Sequence, residues 1–286
     1  MKIKSYAKLN LTLNVIGIDP IDKYHLLEMV NVPLDFYDTL EIELIDQKES
    51  YITSNCSAIP LDHSNLVYKA IQLLQSTYSL KENFHVHIDK KIPMEAGLAG
   101  GSSNAAATML GINKMLNLGI KKEELSSLGM KLGSDVAYCI YSLPSLVEGK
   151  GEKITPFVIK DNYFVLLIKP NYGLSTKEVY TLYDEYSSSH QIEHSSLQDI
   201  QKALENNDEE ELKKNLINNL EISAFEISPS LKELKEDIIK EGLDKVLMTG
   251  SGSTIFALSK DESSLLNIAK KFNINDNFVL VTKFKI

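Results

Sequence analysis

Pro93-Met94-Glu95-Ala96-Gly97-Leu98-Ala99-Gly100-Gly101-Ser102-Ser103-Asn104-Ala105-Ala106-Ala107 is the stretch on which the reading of this chain turns. Gly97, Gly100 and Gly101 permit positive φ and close backbone approach. Ser102 and Ser103 stand where a helix begins. The free N–H groups and positive dipole end of such a start attract an anion. Ala105, Ala106 and Ala107 then let the helix lie close against a sheet. The spacing is neither a GxxxxGK[ST] loop nor a GxGxxG fingerprint, and the HRD and DFG motifs of protein kinases are absent. What remains is a phosphate-binding loop of another kind, or a helix entry that binds nothing.

Outward from the loop, Phe84, Val86 and Ile88 alternate with His85, His87 and Asp89, which is a strand. His85 and His87 share one strand face without a third ligand, so they read as structural and not as a metal pair. Ser64-Asn65 precedes Leu66, Val67, Ala70, Ile71 and Leu74 at the spacing of a capped amphipathic helix. Near the N-terminus Ala7, Leu9, Leu11, Leu13 and Val15 alternate with Lys8, Asn10, Thr12 and Asn14. That is a half-buried strand with Lys8 and Asn10 on one face. Residues 40–45 read as another strand.

Downstream, the pattern predicts helices over 102–115 and 122–132, a strand and turn around Gly149 and Gly151, and a continuous apolar strand over 163–169. Helices follow over 176–186, 197–205, 209–220 and 230–242. Strands at 245–248 and 254–258 flank a Gly-Ser turn, and a helix over 262–272 and a strand over 278–284 close the chain. Mixed runs of strands and helices imply α+β layers and not a strict βαβ series. A chain of 286 residues is long for one core, and a soft boundary near residue 160 divides it into 1–160 and 161–286.

Hydrophobic residues make up 43% and charged residues 24%, the profile of a folded domain. The net charge of −9 and the lack of a long Lys/Arg run speak against a nucleic-acid partner. Cys56 and Cys139 have no CxxC partner, which argues against a disulfide framework or a zinc site. Met1-Lys2-Ile3-Lys4 runs straight into a strand pattern without the apolar core of a signal peptide, and no stretch is long enough to span a bilayer. The expectation is a cytoplasmic protein with no membrane partner.

Two further residues bear on chemistry if the loop holds phosphates. Lys8 is on the polar strand face, and Asp135 lies in Leu132-Gly133-Ser134-Asp135-Val136-Ala137, just after a predicted helix. Phosphorylating an alcohol needs an aligned hydroxyl, charge neutralisation and a proton acceptor. A carboxylate can be that acceptor, and a nearby ammonium can align the reacting groups. Taken alone, an alternating lysine is usually solvated and an Asp after Gly-Ser usually caps or turns.

The loop, as P-x-x-x-G-L-x-G-S/G-S-x-A-A, resembles the second signature of the GHMP kinases. In the form PMEAGLAGGSSNAAA it is most similar to the branch acting on diphosphocytidyl methylerythritol. The resemblance runs from Ala7 to Phe256 with motifs in order. It implies a two-domain fold, with an N-terminal ribosomal-protein-like domain that binds ATP and a C-terminal ferredoxin-like domain. It implies transfer of the ATP γ-phosphate, with Mg²⁺, to the 2-hydroxyl of 4-diphosphocytidyl-2-C-methyl-D-erythritol in non-mevalonate isoprenoid synthesis. Another GHMP kinase acting on mevalonate, homoserine or a sugar is the nearest alternative. A non-catalytic RNA-binding protein is a further one, opposed by the acidic charge.

By the same resemblance Lys8 and Asp135 are the catalytic pair, with Asp135 as base and Lys8 as charge stabiliser. Pro93, Met94, Glu95, Ala96, Gly97, Leu98, Ala99, Gly100, Gly101, Ser102 and Ser103 wrap the ATP phosphates. Asn65, in N-L-V, lies near the adenine, or caps its helix, or both. Asn10 faces the substrate, and Tyr24 and His25, in D-K-Y-H where the family has D-G-Y-H, hold the cytosine. Thr176 and Tyr180 lie in a segment similar to P-x-x-G-[VL]-S-T-x-x-x-[YF]; Tyr180 would face the cytosine, and Thr176 also reads as a helix cap. Residues 248–256 resemble the third signature, and Asn218-Asn219-Leu220-Glu221 stands where the family has N-D-L-E. Lys90 and Lys91 read as a solvated pair. The expected assembly is a monomer or weak homodimer.

Overall fold

The period-two pattern of the N-terminus folds as a long strand, β1 (Lys2–Ile18), paired with a second, β2 (His25–Ile45). A computed structural model of the chain describes residues 1–274 and 276–286. Its packing divides the chain into two units, and neither is one continuous stretch. Met1–Ala7, Phe36–Met94 and Ala99–Ser142 form the first; Lys8–Asp35, Glu95–Leu98 and Leu143–Ile286 form the second.

In the first unit the end of β2 pairs antiparallel with β4 (Asn83–Asp89), and β3 (Tyr51–Ser54) joins β4 in parallel. Four helices complete it: α1 (Leu66–Tyr78), α2 (Gly100–Met115), α3 (Lys122–Gly129) and α4 (Ser134–Tyr141). Leu40, Ile42, Phe84, Val86 and Ile88 are buried, as are Val67, Ile71 and Leu74 of α1 and Ala105, Ala106 and Ala107 of α2. Each such Val, Leu, Ile or Phe side chain stabilises the fold by about 1.5–3 kcal/mol. A Cβ on Gly111 would lie 2.5 Å from Ile42 Cδ1, so α2 comes close to the sheet because that position is glycine.

In the second unit β5 (Ser145–Gly149) pairs antiparallel with residues 27–31 of β2, and β6 (Lys153–Pro156) pairs with β5. A four-stranded antiparallel sheet follows, of β7 (Phe164–Lys169), β8 (Val246–Met248), β9 (Ile255–Ser259) and β10 (Phe278–Lys283), in the order β10-β7-β9-β8. Five helices lie between β7 and β8: α5 (Thr176–Ser187), α6 (Leu197–Asn206), α7 (Glu209–Asn215), α8 (Glu221–Ile227) and α9 (Pro229–Lys240). With α10 (Glu262–Phe272) between β9 and β10, this is the split βαββαβ arrangement of ferredoxin-like sheets. The expected α+β class with a ferredoxin-like C-terminal sheet is therefore found.

Two local readings change and a third is extended. The strand expected at 40–45 is the end of β2, which begins at His25. The single helix expected over 209–220 stops at Asn215, and α8 starts at Glu221. The break holds Asn218 and Asn219: both amides donate to distant backbone, and Asn218 Oδ1 also accepts from Leu220 N–H in its own turn. Asp135 follows α3, which ends at Gly129, and lies in the first turn of a further helix, α4.

Candidate active site

In the second unit the polar face of β1 is buried throughout: Lys8 is 4% exposed, Asn10 1%, and Thr12 and Asn14 0%. The usual solvated lysine is therefore not what is found at position 8. Lys8 Nζ donates to Asn10 Oδ1 at 2.7 Å, and Asn10 Nδ2 donates to Asn31 Oδ1 at 2.6 Å. The main chain of the same segment holds the middle of the glycine-rich stretch: Lys8 N–H donates to Leu98 O at 3.2 Å. Thr249 joins both, its Oγ1 accepting from Asn10 N–H at 3.1 Å and donating to Gly97 O at 3.3 Å. Residues 8–10, 95–98 and 249–250 thus meet, so the strand, part of the second signature and the third signature form one cluster.

The third loop is itself clamped. Asn218 Nδ2 donates to Met248 O and Gly250 O, each at 2.8 Å, while Glu221 Oε1 accepts from Met248 N–H at 2.8 Å. Burial pushes the Glu221 carboxyl above its ordinary range, against the opposing pull of Lys235, whose Nζ lies 2.7 Å away. Lys169, buried at the end of β7, donates to Pro170 O and Tyr172 O at 3.0 Å, and Ser253 Oγ donates to Tyr172 O at 2.6 Å.

The proposed base-binding residues behave differently from one another. His25 Nε2 lies 2.8 Å from Asp184 Oδ1, and its ring centroid is 4.4 Å from that of Tyr180, at a tilt of 38°. Tyr24 is 66% exposed, its backbone N–H held by Asp22 Oδ1 at 3.1 Å. Thr176 does not cap α5: Ser175 does, accepting from Glu178 N–H. Thr176 Oγ1 instead meets Ser251 Oγ at 2.9 Å. Asp184 was missed in sequence, although Tyr180 and Asp184 are four apart and so share one face of α5.

In the first unit α2 begins at Gly100, with Ala99 as its N-cap in the left-handed region at φ +56 and without a side-chain cap. The N–H groups of its first turn are therefore not satisfied by a capping side chain. Ser103 is buried and its hydroxyl is engaged, donating to Tyr6 O at 2.7 Å and accepting from Ser5 Oγ at 2.8 Å. Ser102, in the same turn, is half-buried. Asn65 caps α1, accepting from Val67 N–H at 2.9 Å and donating to Pro60 O at 2.6 Å. Asp135 sits in the first turn of α4, at the positive end of the helix dipole.

The reading of Lys90 and Lys91 as solvated holds only for Lys91. Lys90 Nζ lies 2.7 Å from Asp38 Oδ2, with both side chains buried, and also bonds Ile92 O. Asp38 Oδ1 accepts from the N–H groups of Lys91 and Ile92. This pair fixes the chain on its approach to residue 93. His85 and His87 both meet Thr53 Oγ1, at 2.8 and 2.9 Å.

The sequence profile of the GHMP kinases N terminal domain matches residues 65–142, and that of the GHMP kinases C terminal domain matches 200–276. A 4-diphosphocytidyl-2-C-methyl-D-erythritol kinase of Clostridium tetani is 41% identical over 99% of each chain. The chain belongs to the 4-diphosphocytidyl-2-C-methyl-D-erythritol kinase family of the GHMP kinases. A relative from Clostridium perfringens with the same name is 40% identical over 91% of this chain and 89% of its own. A crystal structure of a 4-(cytidine 5'-diphospho)-2C-methyl-D-erythritol kinase superposes with a TM-score of 0.82, at 25% identity and full coverage of both chains. A homoserine kinase from Cytophaga hutchinsonii, at 19% identity and a TM-score of 0.73, shares the fold. This is an ATP-dependent small-molecule kinase. Among its described residues no helix is long and apolar enough to cross a membrane.

The kinase departs from the family pattern at two positions, and each has a structural counterpart. Lys23, in place of glycine, adopts φ +63, the left-handed backbone that glycine accepts at least cost. Asn219, in place of aspartate, uses both ends of its amide: Oδ1 accepts from Val15 N–H at 3.0 Å and Nδ2 donates to Glu193 O at 2.9 Å.

Proposed function

We propose that this kinase transfers the γ-phosphoryl group of ATP to the 2-hydroxyl of 4-diphosphocytidyl-2-C-methyl-D-erythritol, a step of non-mevalonate isoprenoid synthesis. The observation that carries the reading is the group formed by His25, Tyr180 and Asp184. An aromatic face beside an oriented imidazole suits a planar heterocycle with a polar edge, as cytosine is. The names of the relatives support the same acceptor.

In the proposed step the acceptor oxygen bonds to the γ-phosphorus while the bond from that phosphorus to the bridging oxygen of ADP breaks. The hydroxyl proton passes to the Asp135 carboxylate. Lys8, oriented by Asn10, faces the charge on the transferred group. Residues 93–103 wrap the phosphates, with main-chain N–H groups between Met94 and Ser102 as the donors, and Asn65 borders the nucleotide. Asn10, Tyr24, His25, Thr176 and Tyr180 bind the acceptor. Mg²⁺, when bound with ATP, would supply charge neutralisation to the phosphates. The half-buried Ser102 hydroxyl, in the first turn of α2, is an oxygen donor of the kind such a hard cation takes. A functional division at residue 160, a cytoplasmic location and a monomer or weak dimer belong to the same proposal.

The test is a panel of acceptors with Mg-ATP: the diphosphocytidyl compound, mevalonate, homoserine and galactose, read by ADP release and product mass. Turnover of the cytidine-bearing acceptor alone is the expected result. Preferential phosphorylation of any other member would overturn the assignment.

A further inference from the structure

A lysine ammonium donates hydrogen bonds and accepts none, so it sets the polarity of whatever is bonded to it. Because Lys8 Nζ points at Asn10, that amide must present its oxygen there, and its Nδ2 turns the other way. Asn10 Nδ2 meets Asn31 Oδ1 at 2.6 Å, with Met29 Sδ at 3.4 Å as a lesser partner. Asn31 therefore spends its oxygen on Asn10. Its own Nδ2 is a buried donor with no acceptor in reach among the described residues. The residue is 0% exposed. Lys8 and Asn10 come from β1 and Asn31 from β2, its partner strand, so the three side chains form one directed line.

An aliphatic residue at position 31 would remove this unpaired donor but would also take the acceptor from Asn10 Nδ2, leaving it Met29 Sδ. We infer that Asn31 is a positioning residue for phosphoryl transfer, holding Asn10 in the one amide orientation that presents Oδ1 to the Lys8 ammonium. The inference rests on the role proposed above for Lys8. Without the acceptor on Asn31, the Asn10 amide loses the bond that opposes its rotation. Lys8 then loses the acceptor that Asn10 Oδ1 presents to it. Displacements of this order slow a reaction without weakening nucleotide binding, because alignment matters most at the transition state.

The experiment measures kcat, both KM values and the thermal midpoint, with ATP and the diphosphocytidyl acceptor, for five variants. Asn31→Leu is expected to lower kcat about tenfold or more. Its KM for ATP should stay within about twofold, because the change acts on alignment and not on nucleotide binding. Its thermal midpoint should stay close to the parent's, because one unpaired buried donor is exchanged for another. Asn31→Asp keeps an acceptor for Asn10 Nδ2 and should recover kcat to within about threefold of the parent. In the Asn10→Ala background Asn31→Leu should cause no further loss, since the residue through which it acts is gone. Parental kcat in Asn31→Leu, a lowered midpoint that Asn31→Asp fails to rescue along with kcat, or an additive loss in the double variant would each overturn the inference. Lys8→Met separates the two levels. If it turns over at the parental rate, the role of Lys8 falls and this inference with it. If it is inactive while Asn31→Leu is unaffected, only the inference falls.

Discussion

The carbonyl oxygen of Thr249 occupies the space a side chain on Gly97 would need: a Cβ there would lie 2.1 Å from it. Gly97 is also in the left-handed region, at φ +69. Two costs therefore add in Gly97→Ala, about 1–2 kcal/mol for the backbone and about 1–3 kcal/mol for overpacking against main chain. The variant is expected to lose about 2–5 kcal/mol in urea unfolding. It should also bind ATP more weakly, as read by titration of a fluorescent nucleotide. Parental stability would mean that the third loop can move away freely.

Asp135→Asn removes the proposed proton acceptor while keeping the shape of the side chain. Its kcat should fall by about 10²-fold or more, the usual contribution of a general base. Nucleotide affinity should be unchanged. Steady-state kinetics beside an ATP titration separate the two. A variant that still turns over at the parental rate would remove Asp135 from the mechanism.

Lys23→Gly should stabilise the protein. A left-handed lysine carries about 1–2 kcal/mol of steric cost, and glycine gives back about 0.5–1 kcal/mol through its freer unfolded chain. The net gain expected is about 0.5–1 kcal/mol, visible as a shift in the urea midpoint at unchanged slope. A decrease would show that the lysine side chain contributes more than its backbone costs.

Asn219→Asp moves the chain toward the family pattern and should nevertheless destabilise it. Aspartate can still accept from Val15 N–H, but it cannot donate to Glu193 O, and carboxylate and carbonyl would then face each other. The cost of a buried acceptor left unpaired is about 1–3 kcal/mol. Equal stability of the two proteins would imply that residues 193–195 rearrange.

Glu221 gives a pH dependence with a definite sign. Its folded-state pKa is raised, with burial as the largest cause. The folded protein then holds this proton more tightly than the unfolded chain does. The associated stability is fully present below the unfolded value of 4.5 and is lost as pH rises through the higher folded value. Unfolding curves for the parent and for Glu221→Gln, measured upward from pH 4, should show the difference moving in favour of the glutamine variant. A difference that is flat, or that moves the other way, would mean that Lys235 outweighs burial.

Local patterns were legible where one residue's chemistry decided them. The glycine-rich stretch pointed to a helix from 102, two residues inside the start of α2 at Gly100, and the helix expected over 262–272 is α10 to the residue. Lys8 and Asn10 were readable as neighbours because a strand repeats every two residues. Burial of Lys8 was not readable, since it depends on Thr249 and Gly97, remote in sequence. Lys90 misled for the same reason: its partner Asp38 lies 52 positions away, and nothing local shows the pairing. Asn31 carried no motif at all. Only the direction of its hydrogen bond to Asn10 sets it apart.

Because the second unit takes residues 8–35 from the start of the chain and 143–286 from its end, the order of synthesis and the order of assembly conflict. The ribosome delivers Leu9, Leu11 and Leu13 early, yet the strands and helices of their own unit emerge more than a hundred residues later. At ordinary translation speed that interval is roughly ten seconds. Throughout it residues 8–35 lack the partners from 143–286 that complete their own unit. Nascent chains of this kinase should therefore depend on chaperone shielding until the segment after residue 143 has emerged.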